Sequence, residues 1–428
     1  MNEWMKAAAG AAVVLGLAML AACGGGTDHT KAQVRLVNAS SGYSALDMSV
    51  DDTRRFSSVA YGASADYVEI DPAKTSTVIS RPNSATSLAS FTPSYRKDQN
   101  FSVLAYGGEG TLKTLVLDDN TGAPADGKTL LRVVNAAPDA GKLDVYLTGS
   151  GETLNEAVAV QTDAALGVPS GYTPVNSSTW RLQVTATNSK TDVRLDVAAL
   201  SLGNGNVTTL VLTPGRGGVL VNALLLVDRG GIVRADNTQA RVRAVAGVSN
   251  GGAVTASMAG TTLMNGDAAP AINASYTLVG AGTQPVAVSV DGTAAALASA
   301  SLAAGGDYTL LVYGLPGAPT AGVIEDDNTL PIDSTGAKLR LVHGLADQGG
   351  TLSLKVDLAP VANGVAPGHA SAYAAVSAST TAELTVTTPG VADPLVDLID
   401  RTILANGNYT MFVVGTMAST KSILSKDR

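Results

Sequence analysis

The sequence predicts an all-β protein made of tandem β-sandwich domains behind an export signal, and three observations carry that prediction. Short runs rich in Val, Leu and Thr recur between clusters of Gly, Asn, Asp and Pro; no window sustains a helical period; and one arginine-bearing strand pattern appears four times. The runs include Val34 to Val37, Leu115 to Leu117, Val207 to Leu212 and Leu310 to Tyr313. Turn clusters at intervals of roughly 8 to 12 residues are the signature of a sandwich or barrel. Ala-rich stretches such as Ala294 to Ala300 are long enough for one or two helical turns only, and their apolar period does not separate helix from strand.

The first residues read differently. Lys6 precedes an unbroken apolar or small stretch, Ala7 to Ala22, which ends in Leu20-Ala21-Ala22-Cys23 with Gly24 next. A positive charge, an apolar segment and small residues at a cleavage point make a signal peptide. The segment falls short of the roughly 20 residues that a membrane-spanning helix needs. Leu-Ala-Ala-Cys resembles the lipobox of bacterial lipoproteins, which implies cleavage before Cys23 and lipid on its thiol; an ordinary secretory peptide is the alternative. Cys23 is the only cysteine, which leaves none for a disulfide. Gly24-Gly25-Gly26-Thr27-Asp28 follows as a flexible tether. By resemblance to Gram-negative lipoproteins, Gly24 after the cysteine implies sorting to the outer membrane, with the array facing the periplasm or the cell surface.

Composition narrows the function. A net charge of −8 with no clustered Lys or Arg argues against nucleic acid. Charged residues make up 15% of the chain, against about a quarter in ordinary globular proteins, so the surface is polar but weakly charged. A mature chain of this length exceeds what one core can fill and implies several domains.

Repetition sets the domain count. Val34-Arg35-Leu36-Val37-Asn38 returns as Leu131-Arg132-Val133-Val134-Asn135, Val242-Arg243-Ala244-Val245 and Leu339-Arg340-Leu341-Val342-His343. A late turn and strand recur as Gln99-Asn100-Phe101-Ser102, Gly205-Asn206-Val207-Thr208, Gly306-Asp307-Tyr308-Thr309 and Gly407-Asn408-Tyr409-Thr410. A third landmark, Asp118-Asp119-Asn120-Thr121, returns as Asp236-Asn237-Thr238 and Asp326-Asp327-Asn328-Thr329. The numbers of Arg35 and Arg243 differ by 208, as do those of Asp118 and Asp326 and of Arg132 and Arg340. A two-domain block was therefore itself duplicated. The expected layout is a signal peptide at 1–22, a lipidated cysteine and tether at 23–32, and sandwiches at 33–122, 129–238, 239–330 and 337–428. A period near 100 residues is too long for a solenoid, so each copy should own its core, strung like beads.

The Arg-Val-Val-Asn strand, Ala137-Pro138-Asp139-Ala140, Leu143-Asp144-Val145-Tyr146 and the late Gly-Asn-Tyr-Thr strand together resemble the domain of unknown function 4397 (DUF4397) family. Unit one matches through Asn38-Ala39-Ser40-Ser41 and Leu46-Asp47-Met48-Ser49-Val50, whereas units three and four lack Pro-Asp-Ala and the second-strand Asp. The resemblance implies an immunoglobulin-like sandwich in bacterial envelope proteins, and no activity.

Candidate chemistry is sparse. Gly247-Val248-Ser249-Asn250-Gly251 fits the Gly-x-Ser-x-Gly nucleophile elbow, but that motif needs a helix after the serine and Gly252 to Ser257 reads as a strand. Ser249 is therefore expected in a loop between strands. His29 lies in the tether, His343 replaces the strand-end Asn and His369 sits in a loop, too dispersed for a zinc site. The acidic turns Asp118, Asp119, Asn120 and Asp326, Asp327, Asn328 offer the hard oxygens that calcium prefers, and the same residues are ordinary turn formers. Unit two keeps only Asp236 and Asn237, which favours turns. Glycan stacking finds one mature tryptophan, Trp180, and four phenylalanines, although twelve tyrosines leave it open.

The expected function is that of a non-enzymatic envelope lipoprotein without a cofactor, presenting repeated sandwiches for structural, adhesive or protein-interaction purposes. Its partners would be the membrane, through lipid on Cys23, and an envelope or surface protein or glycan. A periplasmic ligand receptor and a surface hydrolase acting through Ser249 are the alternatives.

Overall fold

A computed structural model describes residues 30–228 and 230–428. The signal segment, Cys23 and His29 lie outside the described residues. The chain is all-β: among the described residues the only helical element is a single 3-10 turn, Ser249–Gly251, and no helix is long and apolar enough to cross a membrane.

The strands assort into eight sheets, two for each arginine repeat. In unit one the first sheet runs Ala63–Ser64, Ala32–Ala39, Asn100–Tyr106, Lys113–Asp118, with Val68–Ile70 also on Ala32–Ala39. The second runs Thr53–Ala60, Ala45–Val50, Thr77–Ser80, Ser87–Phe91. The arginine strand lies parallel to the late strand and everything else pairs antiparallel. The same plan recurs around Lys128–Asn135, Gln239–Ala246 and Gly336–Leu345. In unit two the first sheet gains an extra edge strand, Ile232–Ala235.

Strand alternation explains the core. Val34 and Leu36 point between the two sheets of unit one, where they meet Leu46, Met48 and Ile79. Successive side chains point to opposite faces, so Arg35 and Val37 face outward. On an isolated sandwich they would meet water. Instead Val37, Leu104 and Leu117 of unit one pack on Val134, Val211 and Leu224 of unit two. Val245 and Leu311 of unit three pack likewise on Val342, Phe412 and Val414 of unit four.

Beads on a string is thus the wrong picture. Units pair face to face into two blocks, one and two, three and four, each with an interior between units besides the cores within them. The near-continuous apolar character of the arginine strands is what burial on both faces demands.

A buried carboxylate shapes the second sheet. Asp47 accepts the amides of Ser58 at 2.7 Å and Asn83 at 3.4 Å. Asp144 does the same for Asp163 at 2.8 Å and Asn188 at 3.0 Å. All four donors have positive φ, and the Asp47 and Asp144 strands shift register against their neighbours at these places. The aspartate therefore pays for bulge backbone that would otherwise leave amides unpaired.

Strand-end Asn38 and Asn135 close the hairpin that follows. Each accepts the amide two residues on and donates to one loop carbonyl, of Tyr43 or Gly141, and to one strand carbonyl, of Val59 or Ala164. His343 takes the same place in unit four: Nδ1 accepts the amide of Leu345 at 3.3 Å, and Nε2 lies 3.2 Å from the Gly350 carbonyl oxygen.

Candidate functional site

The densest polar chemistry lies at the two interfaces inside the blocks. Parallel pairing sets each arginine beside a hydroxyl on the neighbouring strand: Arg35 opposite Ser102, Arg132 opposite Thr209, Arg243 opposite Thr309 and Arg340 opposite Thr410. Each guanidinium Nε donates to that hydroxyl, at 2.7, 3.0, 2.9 and 2.9 Å in turn. Three of the hydroxyls pass their own hydrogen to a carboxylate: Ser102 to Asp119 at 2.5 Å, Thr309 to Asp326 at 2.6 Å and Thr410 to Asp427 at 2.5 Å. A tyrosine completes each group, its ring 4.6 to 5.0 Å from the guanidinium carbon: Tyr67, Tyr172, Tyr276 and Tyr373. The hydroxyls of Tyr67, Tyr276 and Tyr373 donate to Asp119, Asp326 and Asp427 at 2.7, 2.7 and 2.8 Å.

The arginines then cross. Arg340 of unit four pairs with Asp326 of unit three, and Arg243 of unit three pairs with Asp427 of unit four at 2.6 Å. In the first block Arg132 of unit two pairs with Asp119 of unit one at 2.7 Å. The opposite arm is looser: Arg35 reaches only the carbonyl of Val227 at 3.5 Å, and Asp228 accepts from Tyr67 at 3.3 Å. Among the described residues no ion pair reaches Asp228.

The paired arginines and aspartates of the second block are out of water. Burial opposes charge on Asp326, but Arg340 and Arg243 outweigh it and hold the carboxyl below its ordinary range. Burial, then the charge of Asp326, lifts the Tyr276 phenol well above its ordinary value. Burial would lower Arg243 and Arg340, yet the facing carboxylates hold both guanidiniums protonated. The phenols therefore act as neutral donors between two fixed charges, which adds hydrogen bonds to the buried ion pairs, although Arg243 Nη2 finds no hydrogen-bond partner among the described residues.

The acidic turns noted in the sequence serve these clamps. Asp119 and Asp326 are the buried acceptors. Asp118 pairs with Arg96, and Asn120 holds both Asp118 and the backbone of Asn100. Asp327 takes Lys338 at 2.9 Å and Thr329, while Asn328 donates to Asp307 at 2.9 Å. The carboxylate oxygens of Asp118, Asp119, Asp326 and Asp327 already face guanidinium, ammonium, hydroxyl or amide groups, and among the described residues no three His, Cys, Asp or Glu gather as metal ligands. Ser249 sits in the 3-10 turn before strand Ala253–Met258, and its buried hydroxyl has no hydrogen-bond partner among the described residues. His369 bonds the Pro367 carbonyl, and the Trp180 indole donates to the Asn176 carbonyl.

Register corrects two alignments. Asp119, not Asp118, is the counterpart of Asp326, because Phe101 pairs with Asp118 and Tyr308 with Glu325. In unit two the counterpart is Asp228, not Asp236, because Thr208 pairs with Val227. The four tyrosines and Asp427 went unnoticed in the sequence. The usable signal was a tyrosine 32, 40, 33 and 33 residues after the respective arginine.

The profile of the DUF4397 domain of unknown function matches residues 32–146 and 240–354, more than half of the chain. The chain belongs to this family. Both matches begin in a first arginine strand and end in the second strand of the next unit, so each encloses one crossed pair, Arg132–Asp119 or Arg340–Asp326. Unit three, which lacks Pro-Asp-Ala, is thereby a member. No protein of curated function matches significantly. Among solved structures, the TIE protein of Bacillus anthracis is similar at 8% identity and a TM-score of 0.15, over 86% of this chain and 65% of that one. A protein from Bacteroides fragilis NCTC 9343, described as a candidate cell adhesion protein, is similar at 8% identity and a TM-score of 0.14, over 92% and 97%. The chain thus spans 65% of the length of the first of these.

Proposed function

We propose that the chain is a non-enzymatic envelope lipoprotein, held to the outer membrane by lipid on Cys23, whose paired sandwiches form a stiff support for contacts with an envelope or surface partner. The crossed arginine clamps carry this reading. Four fully or almost fully buried ionisable side chains, Arg243, Arg340, Asp326 and Asp427, are spent on joining one unit to the next. Buried ion pairs add geometric definition more than net stability, and two units locked face to face hold a fixed direction. A support that keeps a binding surface away from a membrane needs that property. Leu20-Ala21-Ala22-Cys23 and the tether supply the anchor.

The test is made on cells. The mature N-terminal peptide should carry the mass of a diacylglyceryl cysteine, and Cys23→Ser should move the full chain from the membrane fraction to the soluble one. Membrane retention of Cys23→Ser with no lipid mass on the wild type would overturn the anchor. Protease added to intact and to permeabilised cells then tells whether the blocks face outward or into the periplasm, and so which partners to screen.

A further inference from the structure

Where the two blocks and the linker between units three and four meet, they leave a cleft of about 900 Å³, within the usual range for small-ligand sites, which favour domain interfaces. Unit one lines one wall through Tyr106 and the hairpin to Lys113, unit two another through Pro138 and Asp139, and linker residues Leu330 to Ile332 a third. Four charged side chains line it. Two are neutralised within the fold, Glu109 by Arg81 at 2.7 Å and Arg216 by Glu325.

The other two are not. One oxygen of Asp139 accepts the Leu330 amide at 2.8 Å; among the described residues the second has neither a hydrogen-bond nor an ion-pair partner. Burial pushes this carboxyl up despite the Leu330 amide and the charges of Arg428 and Lys338, the state of a group short of a close cation. Lys113 is exposed, and among the described residues no carboxylate pairs with it. Apolar surface lies on the same walls, including Ile332 at 89% exposure.

Aromatic faces for stacking a sugar are not on offer. The Tyr61 ring carries Arg234 at 5.4 Å, and Tyr106 is 7% exposed inside the block interface. What remains is one open anion, one open cation and aliphatic wall. We propose that this cleft binds a short zwitterionic peptide, its terminal ammonium on Asp139, its terminal carboxylate on Lys113 and its small side chains against Leu330 and Ile332. The site lies apart from the arginine clamps and from lipid attachment, so its failure and that of the envelope reading are distinguishable.

The probe is tetra-alanine, titrated calorimetrically into the full chain in detergent. One site per chain is expected. Acetylating the ammonium or amidating the carboxylate should each weaken binding about tenfold or more, as should Asp139→Asn and Lys113→Ala, the loss of one charged contact. Asn keeps an oxygen for the Leu330 amide, and an unchanged circular dichroism spectrum checks that each variant is folded. No binding by tetra-alanine, equal binding by the capped peptides, or weakening by only one of the two substitutions would overturn the proposal.

Discussion

Arg243 of unit three and Asp427 of unit four meet at 2.6 Å with neither side chain exposed to solvent. The pair joins residues 184 positions apart across an interface between two complete sandwiches. Removing one partner leaves the other charge buried and alone, which costs about 3–5 kcal/mol. Asp427→Ala should lose that much in urea unfolding, whereas replacing both residues with apolar ones of similar size should recover most of it. Equal losses for the single and double variants would show that packing at this position, not charge, holds the interface.

The first block should respond less on its loose arm. Asp228 is half-buried, accepts only from Tyr67 at 3.3 Å and has no ion pair among the described residues. Asp228→Ala should therefore cost under about 1 kcal/mol, as for a solvent-screened charge. Asp119→Ala should approach the Asp427 value, since Asp119 accepts from Arg132, Ser102 and Tyr67. Parallel urea melts of the two variants would compare the arms directly.

Much of this architecture was readable in the sequence, and the part that was not has a physical cause. The arginine strands, the late strands and the 208-residue duplication were legible because each is local in the chain. Pairing of units was not, although Val34-Arg35-Leu36-Val37 held a clue: a strand apolar on both faces needs cover on both. The clamp was hidden for another reason. Its partners come from different units, and register rather than chain distance decides which aspartate faces which arginine. One residue fewer between Arg243 and Asp326 than a 208-residue copy would give makes Asp119 the true counterpart, and the extra strand Ile232–Ala235 moves the acidic turn of unit two away from Asp228.

His343 predicts a limb of pH dependence of its own. Burial holds its imidazole below the ordinary value of 6.5, with the Gly350 carbonyl pulling the other way. The unfolded chain therefore takes a proton at higher pH than the folded one, so stability is full above 6.5 and falls as pH drops through the folded value. Asn fills the same place in units one and two, where it bonds the same loop. His343→Asn should leave stability near neutrality little changed and flatten the loss that begins as pH falls below 6.5, read from thermal melts. The fall below 3.8 should persist in the variant, because it belongs to carboxylates such as Asp326, whose depressed value makes stability present above 3.8 and lost on acidification.

The junction between blocks carries a close glycine contact beside the Arg216–Glu325 ion pair. The Gly217 amide donates to the Gly305 carbonyl at 2.7 Å, joining unit two to unit three through backbone. A methyl group added at Gly217 would lie 2.7 Å from the Asp307 carboxyl carbon and 2.9 Å from the Asp307 amide. Asp307 cannot yield easily, since Arg241 grips both its oxygens at 2.7 and 2.6 Å. Gly217→Ala must therefore push the blocks apart or strain that pair, at a cost of about 1–3 kcal/mol for overpacking. Small-angle scattering should show a larger radius of gyration for the variant while its circular dichroism stays that of the wild type. An unchanged radius with lowered stability would instead locate the strain in the Arg241–Asp307 pair, and Asp307→Asn in the Gly217→Ala background would then relieve part of it.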